Sequence, residues 1–355
     1  MYMKNFNHLV KSVITTILLV FFLSTRTHAA EDGIGFEVRP LLPSTQFDTS
    51  LGYYYIQTEP NQKQTFDMSI LSTSDKEKTL EVIIENAVSS NSGSIAYTNN
   101  LKAIDSSLKN PITEIVKPQE KELILKPRQE TTLSFDLSPP NNPYDGLKMG
   151  RVIIKEKTDP NAKGIKQEFQ YGVGIITSES GEAFNDGNIL NLNEVKATIV
   201  NGGKVITGEI INPEPKTIEN LKVRSYVTKK GSSKKIKQKN IDNFAFAPNS
   251  KLAYEIPWGL TNFESGDYTF HFEAKNDYDS FNLVKDFQIR ANEAKDLNGK
   301  AAFKVGTPTY IKILLSGING LLLLIFIMIT LRNNKWKKEI KEKKKKRNKS
   351  KKKQR

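Results

Sequence analysis

Histidine and cysteine carry much of the nucleophilic, acid–base and metal chemistry of proteins, and this chain is nearly without them. Of its 355 residues, three are His and none is Cys. A zinc site takes three or four His, Cys or carboxylate ligands, so no metal centre and no cofactor is expected. His8 and His28 fall in the N-terminal 29 residues, which leaves His271 for the rest of the chain. It stands in Tyr268-Thr269-Phe270-His271-Phe272-Glu273. Strand alternation there puts Tyr268, Phe270 and Phe272 on one face and Thr269, His271 and Glu273 on the other. A Ser-His-Asp triad would have to use His271, and no Gly-x-Ser-x-Gly elbow accompanies it. Asn276-Asp277-Tyr278-Asp279 and Asn185-Asp186-Gly187 lack the spacing of calcium loops and read as turns. A carboxylate pair acting on a glycan has no sequence signature, so a membrane-anchored cell-wall glycan hydrolase remains the enzymatic alternative to a non-enzymatic reading.

Recognition chemistry has better candidates. In Tyr53-Tyr54-Tyr55 the first and third side chains share one strand face and Tyr54 takes the other, so one of the two faces meets a core. Tyrosines left outside can stack on sugar rings, which makes Tyr53 and Tyr55 candidates for glycan contact. Tyr144, in the turn Asn142-Pro143-Tyr144-Asp145-Gly146, is expected to be exposed and joins them. Trp258, in Ile256-Pro257-Trp258-Gly259, reads as a core or loop anchor. Lys229, Lys230, Lys234 and Lys235, with Lys237 and Lys239, gather around Gly231-Ser232-Ser233 in a basic hairpin. Such lysines block edge-to-edge pairing of strands. They also attract an acidic partner over about a Debye length.

The elements that must hold these residues are strands. Alternating runs at 65–70, 79–84, 132–137, 151–155, 168–176, 194–200, 221–227 and 268–274 are punctuated by Pro, Gly and Asn. Short runs with turn signals between them point to β-sandwiches, and the span between residues 30 and 310 suits two domains. The grammar of the two halves is similar, which fits either a remote duplication of one immunoglobulin-like unit or any pair of sandwiches. The junction falls at 159–164 or at 178–188, and a first division assigns 34–157 to one sandwich and 165–300 to the next. One short helix is expected at 292–301. The expected fold class is therefore all-β: two immunoglobulin-like β-sandwich domains followed by a single transmembrane helix.

Both ends carry membrane signals. Residues 1–29 read as a signal peptide, with Lys4 and Lys11 before an apolar run and Thr27-His28-Ala29 before the cut. Residues 313–331, 19 in number, hold no charge, about the length that crosses a bilayer; the transmembrane helix is placed at 311–331. Residues 332–355 then carry 15 Lys and Arg against two Glu. Positive charge stays cytoplasmic, so the topology is single-pass type I. That tail also accounts for most of the formal net charge of +14. The ectodomain is close to neutral, which removes nucleic acid as a partner despite the basic total. Leu42-Pro43-Ser44-Thr45-Gln46 lacks the Gly of a sortase signal and lies far from the terminal apolar segment, so attachment is expected through the helix.

One family matches this layout along almost its whole length. Gly35-Phe36-Glu37-Val38-Arg39-Pro40-Leu41-Leu42-Pro43 is followed by Gly52-Tyr53-Tyr54, Pro60-Asn61-Gln62-Lys63-Gln64 and Ser74-Asp75-Lys76. Tyr144-Asp145-Gly146 with Gly150, Val227-Thr228-Lys229-Lys230-Gly231, and Ala247-Pro248-Asn249-Ser250 come next. Gly266-Asp267-Tyr268, Lys285-Asp286-Phe287-Gln288-Ile289 and Leu297-Asn298 complete the series. In order and spacing it resembles the WxL-interacting proteins of Gram-positive surfaces. The resemblance implies a peptidoglycan-binding domain, then a host-binding domain, in a membrane protein whose ectodomain lies in the cell wall. Its implied partners are peptidoglycan, secreted WxL proteins and a host extracellular protein. Arg151 departs from the pattern, since the family often has a second Gly there. An adaptor is therefore expected, with a glycan hydrolase or a passive structural stalk as alternatives.

Overall fold

A computed structural model of the chain describes residues 34–100, 104–158, 168–303 and 309–353. The signal segment at 1–29 and the candidate junction at 159–164 lie outside the described residues. The described parts form two compact units. Of the described residues, the larger takes those within 34–196, 207–256 and 267–287, and the smaller those within 197–206, 257–266 and 288–353.

Alternation of side chains builds the first sandwich. In β8 (Glu130–Leu137) every second residue, Leu133, Phe135 and Leu137, is buried. β3 (Gln64–Ser72) does the same with Phe66, Met68 and Ile70. β1 (Phe36–Leu41) and β6 (Val116–Pro118) complete a sheet of order β1-β3-β8-β6. The other sheet runs β2 (Tyr54–Gln57), β10 (Gln170–Ser178), β9 (Lys148–Glu156), β4 (Lys78–Ser89), β5 (Ile95–Thr98), and β7 (Glu122–Leu125) also pairs with β4. A single turn of helix, α1 (Ile112–Ile115), is absent from the sequence-based expectation and buries Ile112 and Ile115. The sheets share one core, in which the Tyr54 ring lies 4.6 Å from Phe66, and Phe66 stacks on Phe135 at 5.0 Å. Fully burying a side chain of this kind contributes about 1.5–3 kcal/mol. The Tyr54 hydroxyl donates to the Asp67 carbonyl at 2.6 Å, which avoids the roughly 1–3 kcal/mol cost of an unpaired buried hydroxyl.

β10 differs from the expected division of the chain. It pairs antiparallel with β9 from Gln170↔Lys155 to Thr177↔Lys148, and parallel with β2 from Ile175↔Tyr54 to Ser178↔Gln57. Val173 and Ile175 belong to the first core. By hydrogen bonding, then, the first sandwich runs through Ser178, whereas a division at 157 and 165 hands this strand to the second. The physical reason is that β9 and β2 would each expose a row of unpaired backbone groups without it.

The second sandwich has one sheet of order β11-β12-β15 (Asn191–Val200, Gly203–Asn212, Ser250–Pro257). The other is β14-β13-β16-β17 (Lys235–Phe246, Ile218–Lys229, Gly266–Lys275, Ser280–Ile289). In the larger unit Tyr268, Phe270 and Phe272 are buried as the alternation requires, and Tyr254 meets Phe272 edge-on at 5.0 Å. In the smaller unit Trp258 is buried with its ring 5.1 Å from Phe263. α2 (Ala291–Lys300) is tied there by Asn298, which accepts from the Phe263 N–H at 2.8 Å and donates to its carbonyl at 2.9 Å. α3 (Thr309–Lys353) is one helix that continues through the basic tail, and its stretch Tyr310–Lys338 is long and apolar enough, by length and composition, to cross a membrane.

Gly146 explains part of the Tyr-Asp-Gly turn. Its φ is +89°, and a Cβ there would lie 2.4 Å from the Pro215 carbonyl oxygen. Left-handed backbone and the close approach both demand glycine. Gly146→Ala is expected to destabilise the protein by roughly 1–3 kcal/mol, read as a lower urea midpoint. A fragment ending at Lys157 is expected to lose cooperative unfolding and near-ultraviolet dichroism, while one ending at Asn188 keeps both. Equal behaviour of the two fragments would refute the role assigned to β10.

Candidate functional site

Three places in the larger unit gather the residues singled out by the sequence. The first is the outer face of the sheet that contains β10. Register places Tyr53 beside Gly174, Gly174 opposite Arg151, and Arg151 opposite Glu85. The Arg151 guanidinium binds the Glu85 carboxylate through Nε at 2.8 Å and Nη2 at 2.7 Å, and lies 4.8 Å from the centroid of the Tyr97 ring. Burial pushes the Tyr97 hydroxyl up, and Arg151 pulls against that rise. Gly172 and Gly174 leave room between these groups: a Cβ on Gly174 would meet Tyr53 at 3.5 Å, and one on Gly172 would meet Arg151 at 3.5 Å. The result is a shelf with a glycine floor, tyrosines beside it and an oriented ion pair across it. Rings offer apolar faces to a pyranose, and the paired charges offer donors and acceptors to its hydroxyls.

Tyr53 is exposed on this shelf. Tyr55, placed beside it by alternation, is used differently. Its ring packs on Phe47 at 4.8 Å and its hydroxyl donates to the Glu182 carbonyl at 3.0 Å, so it is half-buried under a loop. Arg151, noted as a departure from the family pattern, is the central group of the shelf. Tyr97 and Glu85 carried no sequence signal of their own beyond cross-strand placement.

The second place is a groove of about 800 Å³ at Tyr144. The turn does not leave Tyr144 free, because its hydroxyl lies 2.8 Å from Thr58 Oγ1 and 2.9 Å from Thr177 Oγ1. Its N–H donates to Glu179 at 3.0 Å. Tyr144 is thus half-buried, where the sequence led us to expect exposure. Lys148, missed by sequence reasoning, is 5% exposed, donates to the Lys109 carbonyl at 2.5 Å, and holds its ammonium 4.5 Å from the centre of the Tyr144 ring. Burial pulls its pKa down to about 8. The signal was available: Lys148 shares the inward parity of Gly150, Val152 and Ile154 in β9. Asn249 closes one wall by donating to the Pro213 carbonyl at 2.8 Å and to Ser107 Oγ at 3.1 Å. That gives a role to the Ala-Pro-Asn-Ser motif.

The third place is the basic hairpin between β13 and β14. Lys229, Lys230, Lys234 and Lys235 are exposed at its tip. Lys230 pairs with Asp286 at 2.8 Å, which raises the lysine pKa and lowers that of Asp286. Lys235 lies 4.1 Å from the Tyr226 ring centroid, whose hydroxyl donates to Glu273 at 2.8 Å. His271 stacks on the same ring at 4.4 Å, because Tyr226 and His271 are register partners. Burial lowers the His271 pKa. Lys239 leaves the cluster: it is half-buried, 4.5 Å from the Tyr254 ring centroid, and donates to the Asn91 carbonyl at 3.2 Å. Among the described residues, no group of three or more His, Cys, Asp or Glu is arranged to hold a metal ion.

Comparison with known proteins bears on these surfaces. No curated protein matches the chain. Similar solved structures include one from a chaperone–tip adhesin complex of CFA/I fimbriae biogenesis, at 10% identity and TM-score 0.30, covering 72% of this chain and 100% of that one. The class 5 fimbriae chaperone CfaA matches at 11% identity and TM-score 0.29, covering 71% and 98%. The periplasmic chaperone SfaE matches at 13% identity and TM-score 0.28, covering 72% and 98%. At these scores the strand pairings above, not the likenesses, carry the description of the fold. Residues 36–156 match the WxL Interacting Protein peptidoglycan binding domain, and residues 161–299 match the WxL Interacting Protein host binding domain. With both domains present in tandem, the chain belongs to the WxL-interacting protein family.

Proposed function

We propose that the chain is a membrane-tethered adaptor of the Gram-positive cell surface. Its first sandwich holds peptidoglycan, and its second holds a protein, either a secreted WxL protein or a host extracellular protein. The observation that carries the reading is the tandem of a peptidoglycan binding and a host binding domain over 36–299, together with the Tyr53–Arg151–Tyr97 shelf in the first of them. The apolar stretch of α3 supports tethering, and the basic run behind it supports an outward ectodomain. The hairpin tip of Lys229, Lys230, Lys234 and Lys235 is the surface assigned to the protein partner. No step of bond cleavage enters this reading.

Sedimentation of the full chain in detergent with purified sacculi tests the first half. Enrichment over a control protein that carries the same basic tail is expected, and it should persist as salt rises, because screening removes the tail's attraction and the ectodomain is near neutral. Tyr53→Ala is expected to weaken it about tenfold, the worth of one ring contact of about 1.4 kcal/mol. Absence of enrichment would remove the assignment. For the second half, replacing the four hairpin lysines by Gln should weaken capture of a secreted WxL protein and flatten its salt dependence. Sacculus sedimentation should be untouched, and a joint loss would show damage to the fold instead.

A further inference from the structure

Lys148 is a cation almost wholly buried. An ammonium has three N–H donors; the Lys109 carbonyl takes one at 2.5 Å, and the Tyr144 ring offers its face at 4.5 Å. Among the described residues no carboxylate lies within ion-pair distance of it. Glu114 and Glu179 act on it only from further away. A charge 95% buried with two donors unspent is costly to a fold unless something completes its shell, and Lys148 is buried to that degree (5% exposed). Both of its partners line the groove, so the unspent donors belong to that cavity.

We propose that this groove seats the free C-terminal carboxylate of a peptidoglycan stem peptide on the Lys148 ammonium. The proposal rests on the peptidoglycan reading of the first sandwich, which supplies most of the groove's lining, with Pro213, Pro215 and Asn249 from the second. A neutral sugar supplies no counter-charge; a peptide end supplies one. Pro139, Pro140 and Pro143 form walls that carry no N–H, while the amides of Asn110, Asn141 and Asn142 offer donors and acceptors to a peptide backbone. A volume of about 800 Å³ accommodates a few residues and is within the ordinary range for small ligands. The charged groups facing Lys148 are Lys109, Glu114, Asp145 and Glu179, with the Tyr144 ring between strand and turn.

Calorimetric titration of the full chain in detergent micelles tests this with a soluble muropeptide whose stem ends in a free carboxylate, and with the same molecule ending in a carboxamide. The acid is expected to bind at least tenfold tighter than the amide at pH 7. Lys148→Met is expected to erase that difference; an apolar side chain of similar length fits the buried position and leaves the fold intact. The preference for the acid should shrink between pH 7 and 9 as the ammonium loses its proton, and should show no such trend in Lys148→Met. Equal binding of acid and amide, or an unchanged Lys148→Met, overturns the proposal without recourse to any variant's stability. If the chain still sediments with sacculi while no muropeptide binds, the groove assignment falls and the wall reading stands. If neither occurs, both fall. If peptides bearing protein C-terminal sequences bind as tightly as the muropeptide, the groove does not select stem peptides and the proposal is overturned, while sedimentation with sacculi still decides the wall reading.

Discussion

The insertion of β10 between β2 and β9 is the constraint on which the first sandwich depends. The strand satisfies two backbone edges at once and adds Val173 and Ile175 to the core. The shelf and the Tyr144 groove then follow from where its other residues fall. Gly172 and Gly174 open the shelf beside Tyr53 and Arg151. Thr177 holds the Tyr144 hydroxyl, and Glu179, just beyond the strand, holds the Tyr144 N–H. Gly181, at φ +71°, leaves the space that Phe47 fills under Tyr55. A stretch that a division at 157 and 165 gives to the second sandwich is what positions both of these surfaces.

Charge is handled differently at these surfaces. Arg151 and Glu85 neutralise each other while remaining partly open to solvent, so their contribution to stability is modest and their value is orientation. Lys148 is buried with no carboxylate in ion-pair distance among the described residues, and burial lowers its pKa because it disfavours the charged form. Lys230 is exposed and paired with Asp286, an arrangement that salt weakens readily. The first suits uncharged polar ligands, the second a small anion, and the third a steering surface.

What the sequence made legible was local. Alternation placed Tyr268, Phe270 and Phe272 inside because a strand has only two faces, and it placed the short helix before the apolar segment within a residue of α2; it left open which face of Tyr53-Tyr54-Tyr55 meets the core. The same rule applied to Lys148 marks an inward charge, a reading that attention to aromatics passed over. What could not be read was long-range. Tyr55 is covered through Phe47 and Glu182, Tyr144 is held by Thr58 and Thr177, and Lys239 is drawn from its hairpin by Asn91. Each outcome depends on a partner far off in the chain, and no local pattern encodes the pairing. The place of β10 belongs to the same class, since an apolar alternating run states that a strand exists and not which sheet it joins.

The position of β10 also decides how the protein bears a load. A pull carried from the second sandwich reaches this strand at its Ser178 end. β10 is flanked on both sides, so tension leaving at Ser178 is shared by the parallel bonds to β2 and the antiparallel bonds to β9. A strand drawn along its own axis shears those bonds together, whereas a strand at a sheet edge is peeled from its neighbour one bond at a time. The first sandwich is therefore joined to the chain that follows by two rows of bonds that must shear together.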